Sequence, residues 1–535
     1  MTETVQTLLF MLAILAVVAV SAKRLNIVPS ILLVVAGIGM AFIPGLPKVE
    51  LAPEVVLLVI LPPLIYSAGV AMSWRDFKFN LRPIALLAFG CVVFTTCAIA
   101  AATHYFLKFD WAVGFLLGAI ISPTDVVAPL AIARQLGLPR RLVVILEGEG
   151  LANDATALVL YRFAVVAVST GTFSLERASE TFVLIVVGET IYGLAIGWLS
   201  LRLRQWAHEP RVEITLSLMT PYLAFWVPAH LGGSGVLATV ACGLYVSWNG
   251  PLLIPSATRL QGIFFWDLIV YMIEGIVFLV TGLQARTLIE QAHPFSIREL
   301  AMAVIWTTVI AIVARFLWVF PATYIPRWFS SRLRKRDPSP PWQLPFFLAF
   351  TGIRGVVSLA VALAIPFTVL NGQPFPHRDL ILFVTFGVII ITLVGQGLML
   401  SSVVRWLGLS RIGKIEHKDE IKAELRARKA ALKQVEKRLA KAIKDHDLPD
   451  EAIEHLRTRN QSRVQILPIN LTEGLDQIRQ TAKVKAELID AEREFIYQLL
   501  RDGKITDEAR RRIEYELDLE EASVANRGKD GGGWI

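Results

Sequence analysis

Up to about residue 406 the chain alternates long apolar blocks with short polar or Pro/Gly-bearing connections. A helix needs about 20 mostly apolar residues to cross a bilayer core. By that measure the pattern predicts thirteen spans, at 4–22, 26–44, 53–73, 83–107, 111–133, 141–168, 179–201, 213–230, 233–248, 262–283, 299–324, 343–367 and 380–406. The pattern then changes. Leu475, Ile478, Ala482, Ala486, Ile489, Ile496 and Leu499 recur at helical spacing as one apolar stripe, the mark of a helix with one face in water. Leu448–Pro449, Leu467–Pro468 and Asp502–Gly503 punctuate this region, and Thr506 before Asp507–Glu508 marks the start of a last helix. The terminal stretch 527–535 has the composition of a disordered end. The expected fold class is therefore an all-α polytopic membrane protein, residues 1–410, with a cytosolic helical tail, residues 411–535.

Composition supports this division. Hydrophobic residues make up 54% of the 535, charged residues 18%, and mean hydropathy is +0.56, too apolar for an ordinary soluble protein. The tail alone holds 26 of the 53 Lys/Arg and 25 of the 45 Asp/Glu, so its own charge nearly cancels. The basic excess behind the pI of 9.3 sits in membrane loops and argues for no nucleic-acid partner. Cys91, Cys97 and Cys242 all lie in apolar segments, which excludes a disulfide framework.

Loop charge also sets an orientation. Alternate loops carry Lys23 and Arg24; Arg75, Lys78 and Arg82; Arg134, Arg140 and Arg141; Arg202, Arg204 and Arg211; Arg259; and the basic run 327–336. The other loops carry only Lys48, Lys108, Arg177, Arg286, Arg298 and Arg378. The positive-inside rule makes the first set cytoplasmic, with the N-terminus outside and the tail inside. Glu3 precedes the first apolar run and Lys23–Arg24 follow it, the reverse of a signal peptide, so this helix reads as retained.

Ionisable groups at bilayer depth cost several kcal/mol and need a reason. In the fifth span, Ser122–Pro123–Thr124–Asp125 and Pro129 set two prolines around a carboxylate, which predicts a broken helix. Unwound backbone at this depth lines a cavity or is buried in protein. The alternative is a proline kink in which Asp125 merely caps the second half-helix. In the sixth span, Glu147, Glu149, Asn153 and Asp154 fall within two turns, with Glu147 and Asp154 on one face. Carboxylates so close need protons or cations between them, a setting in which the two compete. In the twelfth span, Gly352–Ile353–Arg354–Gly355 places a guanidinium that requires carboxylate or carbonyl oxygens and predicts a second weakened helix, the counterpart of the fifth in an inverted repeat. Asp125, Asp154 and Arg354 each lie about 16–21 Å from the start of their span, near the midplane. Glu54, Glu189, Arg162, Asp267, Glu274 and Arg315 read as terminal, snorkelling or interhelical pairs, with Glu274 and Arg162 the better functional candidates.

Thr124–Asp125, then Glu149–Gly150–Leu151–Ala152–Asn153–Asp154, then the run from Gly352 through Arg354 to Ala360 resemble, in that order, the motifs of the cation:proton antiporter-1 family. The resemblance covers nearly all of residues 1–410. It implies a thirteen-helix homodimer in which the fifth and twelfth helices unwind and cross, exchanging Na⁺, K⁺ or Li⁺ for protons. By that likeness Asp154 carries the monovalent cation or the proton, Thr124 and Asp125 belong to the crossing, and Asn153 and Glu149 with Arg354 stabilise the core. Asn153 before Asp154 resembles the electroneutral branch, one proton for one cation. Two positions depart from the family pattern: Gly150 stands where many members have Ser, and Ser67 where many have an acid. Rival readings have less support. A channel would need a filter such as TVGYG, an intramembrane hydrolase a nucleophile or an H-E-x-x-H set, and a sensor a recognisable signalling module. No cofactor is called for.

Overall fold

The computed structural model describes residues 2–25, 27–44, 51–172, 174–292, 295–369, 372–445, 471–502 and 504–528, with Glu454 and Thr458. It divides into two compact units, Met1–Gly413 and Lys414–Ile535. The regular elements among the first unit's described residues are all helices, with a single isolated backbone bridge, Thr368 to Pro374.

Every predicted span coincides with a helix or a pair of half-helices. They run α1 (Thr2–Leu25), α2 (Pro29–Ala41), α3 (Pro53–Ala71), a short linker helix α4 (Trp74–Phe79), and α5 (Leu81–Leu107). Then come the half-helices α6 (Trp111–Ile121) and α7 (Val127–Gln135), followed by α8 (Arg140–Thr170), α9 (Leu175–Ala207) and α10 (Pro210–His230). The series continues with α11 (Val236–Leu253), α12 (Ser256–Gln291), α13 (Ile297–Phe329) and the short α14 (Ser331–Arg336). It closes with the half-helices α15 (Gln343–Phe350) and α16 (Val356–Leu363), then α17 (Arg378–Leu407). Eight of these are individually long and apolar enough to cross a membrane, while α2 and α6 are shorter apolar helices. Outward-facing Leu, Val, Ile and Phe, such as Leu184, Ile191, Phe264 and Leu317, are exposed where a soluble protein would bury them, as expected of a lipid-facing surface.

The two predicted breaks are present. α6 stops at Ile121 and α7 starts at Val127; between them Pro123 cannot donate the backbone bond that would continue the helix. α15 stops at Phe350 and α16 starts at Val356, across Thr351–Gly352–Ile353–Arg354–Gly355. The breaks meet: the Asp125 amide donates to the Ile353 carbonyl at 2.7 Å. A Cβ on Gly355 would fall onto the Asp125 carboxylate, so only glycine allows this approach.

The second unit, taken by itself, contains most of a long helix α18 (Leu409–Asp445) and a helical hairpin of α19 (Leu471–Arg501) and α20 (Asp507–Gly528). Ile489, Ile513 and Leu517 form the hairpin's apolar contact, and Thr506 caps α20 as its sequence predicts, accepting from the Ala509 amide at 3.2 Å. The predicted breaks at Leu448–Pro449 and Leu467–Pro468, and the end beyond Gly528, lie outside the described residues, as do the side chains of Leu475, Ile478 and Ala482.

Candidate ion site

The site forms where α8 passes the crossing of the two breaks. α8 presents Glu149 and Asn153 one turn apart on the same face. The Thr124 hydroxyl, in the first break, donates to Glu149 Oε1 at 2.9 Å. Asn153 Nδ2 donates to the Thr124 carbonyl at 2.9 Å and to its hydroxyl at 3.1 Å. Because a carbonyl can only accept, the amide nitrogen must face Thr124, which leaves Asn153 Oδ1 turned away. That oxygen is buried and has no partner among the described residues.

The carboxylate and guanidinium pairing differs from expectation. Glu149, 1% exposed, is held by Arg315, 3% exposed, through a two-pronged contact of 2.5 Å and 2.8 Å. Arg315 Nε also donates to the Leu348 carbonyl at 3.0 Å, tying α13 to α15. Arg354 is therefore not the partner of Glu149. Its Nε donates to the Ile121 carbonyl at 3.1 Å, one Nη to the Gly352 carbonyl, and the other Nη to the Ala311 carbonyl at 3.4 Å. Its backbone amide donates to the Thr392 hydroxyl at 3.1 Å. The physical reason lies in the breaks: they free backbone carbonyls in a dry interior, and a guanidinium's fixed donors satisfy several at once. Arg315 is what sequence reasoning undervalued. Its signal was present, since it stands among apolar residues well inside the eleventh span.

The three acids of α8 do not form one cluster. Glu147 pairs with the exposed Arg134 at 2.9 Å, and Glu149 belongs to Arg315. Asp154 has neither an ion pair nor a hydrogen bond among the described residues. Its charged neighbour is Asp125, which in turn is a neighbour of Glu274 on α12. Asp125 Oδ1 accepts from the Val127 amide at 2.8 Å and so caps α7, leaving its second oxygen at the crossing beneath Gly355. Thr124, Glu149, Asn153, Arg315 and Arg354 are buried, whereas Asp125 and Asp154 are half-buried. The unpaired acids are thus the ones solvent can reach. Two adjacent carboxylates with no cation between them offer hard oxygens to a monovalent cation or a proton.

The remaining candidates are spread out. Arg134, the partner of Glu147, is also a charged neighbour of Glu274 and of Asp267. Arg162 is half-buried beside Tyr161 and Glu189. Glu189 is committed elsewhere: it accepts from the Ser234 hydroxyl at 2.9 Å and from the amides of Ser234, Gly235 and Leu237 at the start of α11. Ser67 is half-buried on α3 and makes no side-chain hydrogen bond among the described residues. The Gly150 departure has a local reason, since a Cβ there would come 2.5 Å from Val126 Cγ2 in the first break.

Broken helices that cross, with acids at the crossing and buried arginines beside it, are the arrangement expected of a membrane carrier of small cations. The comparisons specify the class. The model of the sodium/hydrogen exchanger transmembrane family matches residues 10–406, and the chain belongs to that family, whose members exchange sodium ions for protons. The chain is 34% identical over 410 residues to the sodium, potassium, lithium and rubidium/H⁺ antiporter of Bacillus pumilus, covering 73% of this chain and 60% of the relative. It is 33% identical over 408 residues to a Na⁺/H⁺ antiporter of Aphanothece halophytica, covering 76% and 74%. An uncharacterised Na⁺/H⁺ exchanger of Mycobacterium tuberculosis is 31% identical over 527 residues, 96% of this chain and 95% of the relative. The solved sodium proton antiporter of Methanocaldococcus jannaschii shares the fold, with a TM-score of 0.61 at 18% identity over 76% of this chain and 98% of that one.

Proposed function

We propose that the chain exchanges a monovalent cation (Na⁺, with K⁺ and Li⁺ as further cargoes) for one proton, with Asp154 carrying either. The observation that carries this reading is the isolation of Asp154: on a helix with three acids, the other two have arginine partners. A carboxylate without a cation partner can be neutralised by a proton or by a metal cation, but not by both at once, and that competition is antiport. Asp125 and Asn153 Oδ1 supply further oxygens to the cation. Thr124, Glu149 and Arg315 fix Asn153, and Arg354 holds the crossing. Glu274, Glu147 and Arg134 form the approach from the basic face, with Arg162 near the opposite face and Ser67 at the edge of the site.

Because one charge replaces one charge, transport is electroneutral. With thirteen crossings and the arginine-rich loops inside, the N-terminus lies outside and the tail inside the bacterial inner membrane, where the protein works as a homodimer in sodium and pH homeostasis. Residues 1–410 perform exchange, and 411–535 bias the carrier by binding its inward and outward states unequally. The reading is tested in everted vesicles loaded with a pH-sensitive dye. Na⁺ should dequench the dye, with the rate unchanged when valinomycin and K⁺ collapse the potential. A rate driven by an imposed potential would require a second proton carrier and overturn the one-for-one count.

A further inference from the structure

On the arginine-rich face, α4 links the end of α3 to the start of α5, so it lies where two membrane helices reach the headgroup layer. Beside it opens a cavity of about 780 Å³ lined by Arg75, Lys78, Arg140 and Arg336, with Asp76 as its one carboxylate and Phe79 at its wall. Arg140 is occupied by Asp76 at 2.8 Å. Arg75, Lys78 and Arg336 have no ion pair among the described residues. Nearby acid does not relieve them. Asp337, next to Arg336 in sequence, is already shared by Arg82 at 3.3 Å, Arg141 at 2.8 Å and Arg327 at 2.6 Å. The corner therefore has three converging cations without an ion pair, and its one carboxylate, Asp76, is taken by Arg140. Phe79, in the cavity wall, is 56% exposed, and Leu81, two residues on at the start of α5, is 50% exposed, so apolar surface adjoins the basic groups.

We propose that this cavity binds the phosphate headgroup of an anionic phospholipid, with Arg75, Lys78 and Arg336 as its ligands and the acyl chains running over Phe79 and Leu81. A phosphodiester offers several acceptor oxygens to guanidinium and ammonium donors, and basic pockets at helix ends suit such groups. The apolar border favours a lipid over a free phosphate, which would leave Phe79 and Leu81 in water. Its position gives the site a structural consequence: a bound headgroup joins the linker α4 to α14, and so the α3–α5 connection to the end of α13.

The test is native mass spectrometry of the full-length protein in detergent, titrated with phosphatidylglycerol or phosphatidylcholine, with and without inorganic phosphate. Wild type should retain phosphatidylglycerol in preference to phosphatidylcholine, and millimolar phosphate should not displace it. The triple variant R75Q/K78Q/R336Q should bind phosphatidylglycerol at least about tenfold more weakly, since each basic group near a lipid surface contributes severalfold. R332Q/R334Q/K335Q, which removes the same charge outside the cavity, should stay within about threefold of wild type. If the triple variant is poorly folded, the single variant Arg75→Gln decides, with an expected loss of about threefold. Unchanged binding in the cavity variants, or an equal loss in both triple variants, would overturn the site. Displacement by inorganic phosphate would overturn the lipid as its ligand.

Discussion

The two broken helices meet at one point and are built in opposite ways. The break between α6 and α7 is made by proline and carries an acid, Asp125, which is half-buried. The break between α15 and α16 is flanked by glycine and carries a cation, Arg354, which is buried. Arg354 spends two donors on carbonyls that the breaks set free, those of Gly352 and of Ile121 at the end of the opposite half-helix, and a third on Ala311 of α13. Asp125 uses one oxygen to cap α7 and keeps the other at the crossing. One break is therefore closed by its own charge, while the other leaves charge available to a ligand. The comparison separates scaffold from proposed site: Arg354, buried and hydrogen-bonded, holds the crossing, while the half-buried Asp125 keeps an oxygen for the ion under the proposed function.

The largest stability effect should come from Arg315→Ala. It strands the buried Glu149 carboxylate, and breaking one side of a buried pair costs about 3–5 kcal/mol. Arg354→Ala strands no charge, and the neutral carbonyls it leaves can accept from water entering the vacated space, so its melting temperature in detergent should fall less than that of Arg315→Ala. A reversed order would show that the second break, and not the Glu149 pair, carries the fold. Arg134→Ala, which removes a surface pair, should change melting little, by about 0–1 kcal/mol.

Gly355→Ala should act on transport more than on stability. Its methyl group would displace the Asp125 carboxylate, so exchange in vesicles should fall at least about tenfold, with a melting cost of about 1–3 kcal/mol from overpacking. Normal exchange in Gly355→Ala would mean that the two breaks move apart during the cycle. Gly150→Ala should be milder, since it meets the tip of the Val126 side chain and not backbone.

Asp337 provides a control outside both breaks. Burial pushes its carboxyl up, but the Arg141 hydrogen bond and the charges of Arg141, Arg327 and Arg82 outweigh this and leave it below the ordinary 3.8. A depressed carboxylate stabilises the fold above its ordinary value and loses that stabilisation as pH falls through the depressed one. The Asp337 contribution to melting should thus be full and independent of pH near neutrality, and should fade as pH falls below about 3.8. Asp337→Asn should lack this acid limb. An identical acid limb in the variant would assign it to other groups.

Much of this was legible in the sequence, and the exceptions share a cause. Spans follow from apolar length, breaks from Pro123 and the glycines around Arg354, and the midplane acids from their cost in lipid. Partner choice was not legible. Three acids on α8 read as one cluster because helical spacing reports faces, not neighbours; Glu147 and Glu149 are drawn off by arginines 13 and 166 residues away in sequence. The same limit hid the role of Arg315, which becomes visible only once α13 is placed against α8. Gly150, a departure from a family pattern in sequence, becomes a packing requirement beside Val126.

The central claim is that Asp154 is the one acid of α8 left free for the ion. Asp154→Asn keeps the shape and removes the charge, so the comparison of greatest weight is Na⁺-induced dequenching of a pH dye in everted vesicles containing wild type or Asp154→Asn at equal expression. The account predicts no Na⁺-driven proton movement in the variant at any pH or cation concentration, with melting in detergent close to wild type. Na⁺-driven proton movement in the folded variant would contradict it.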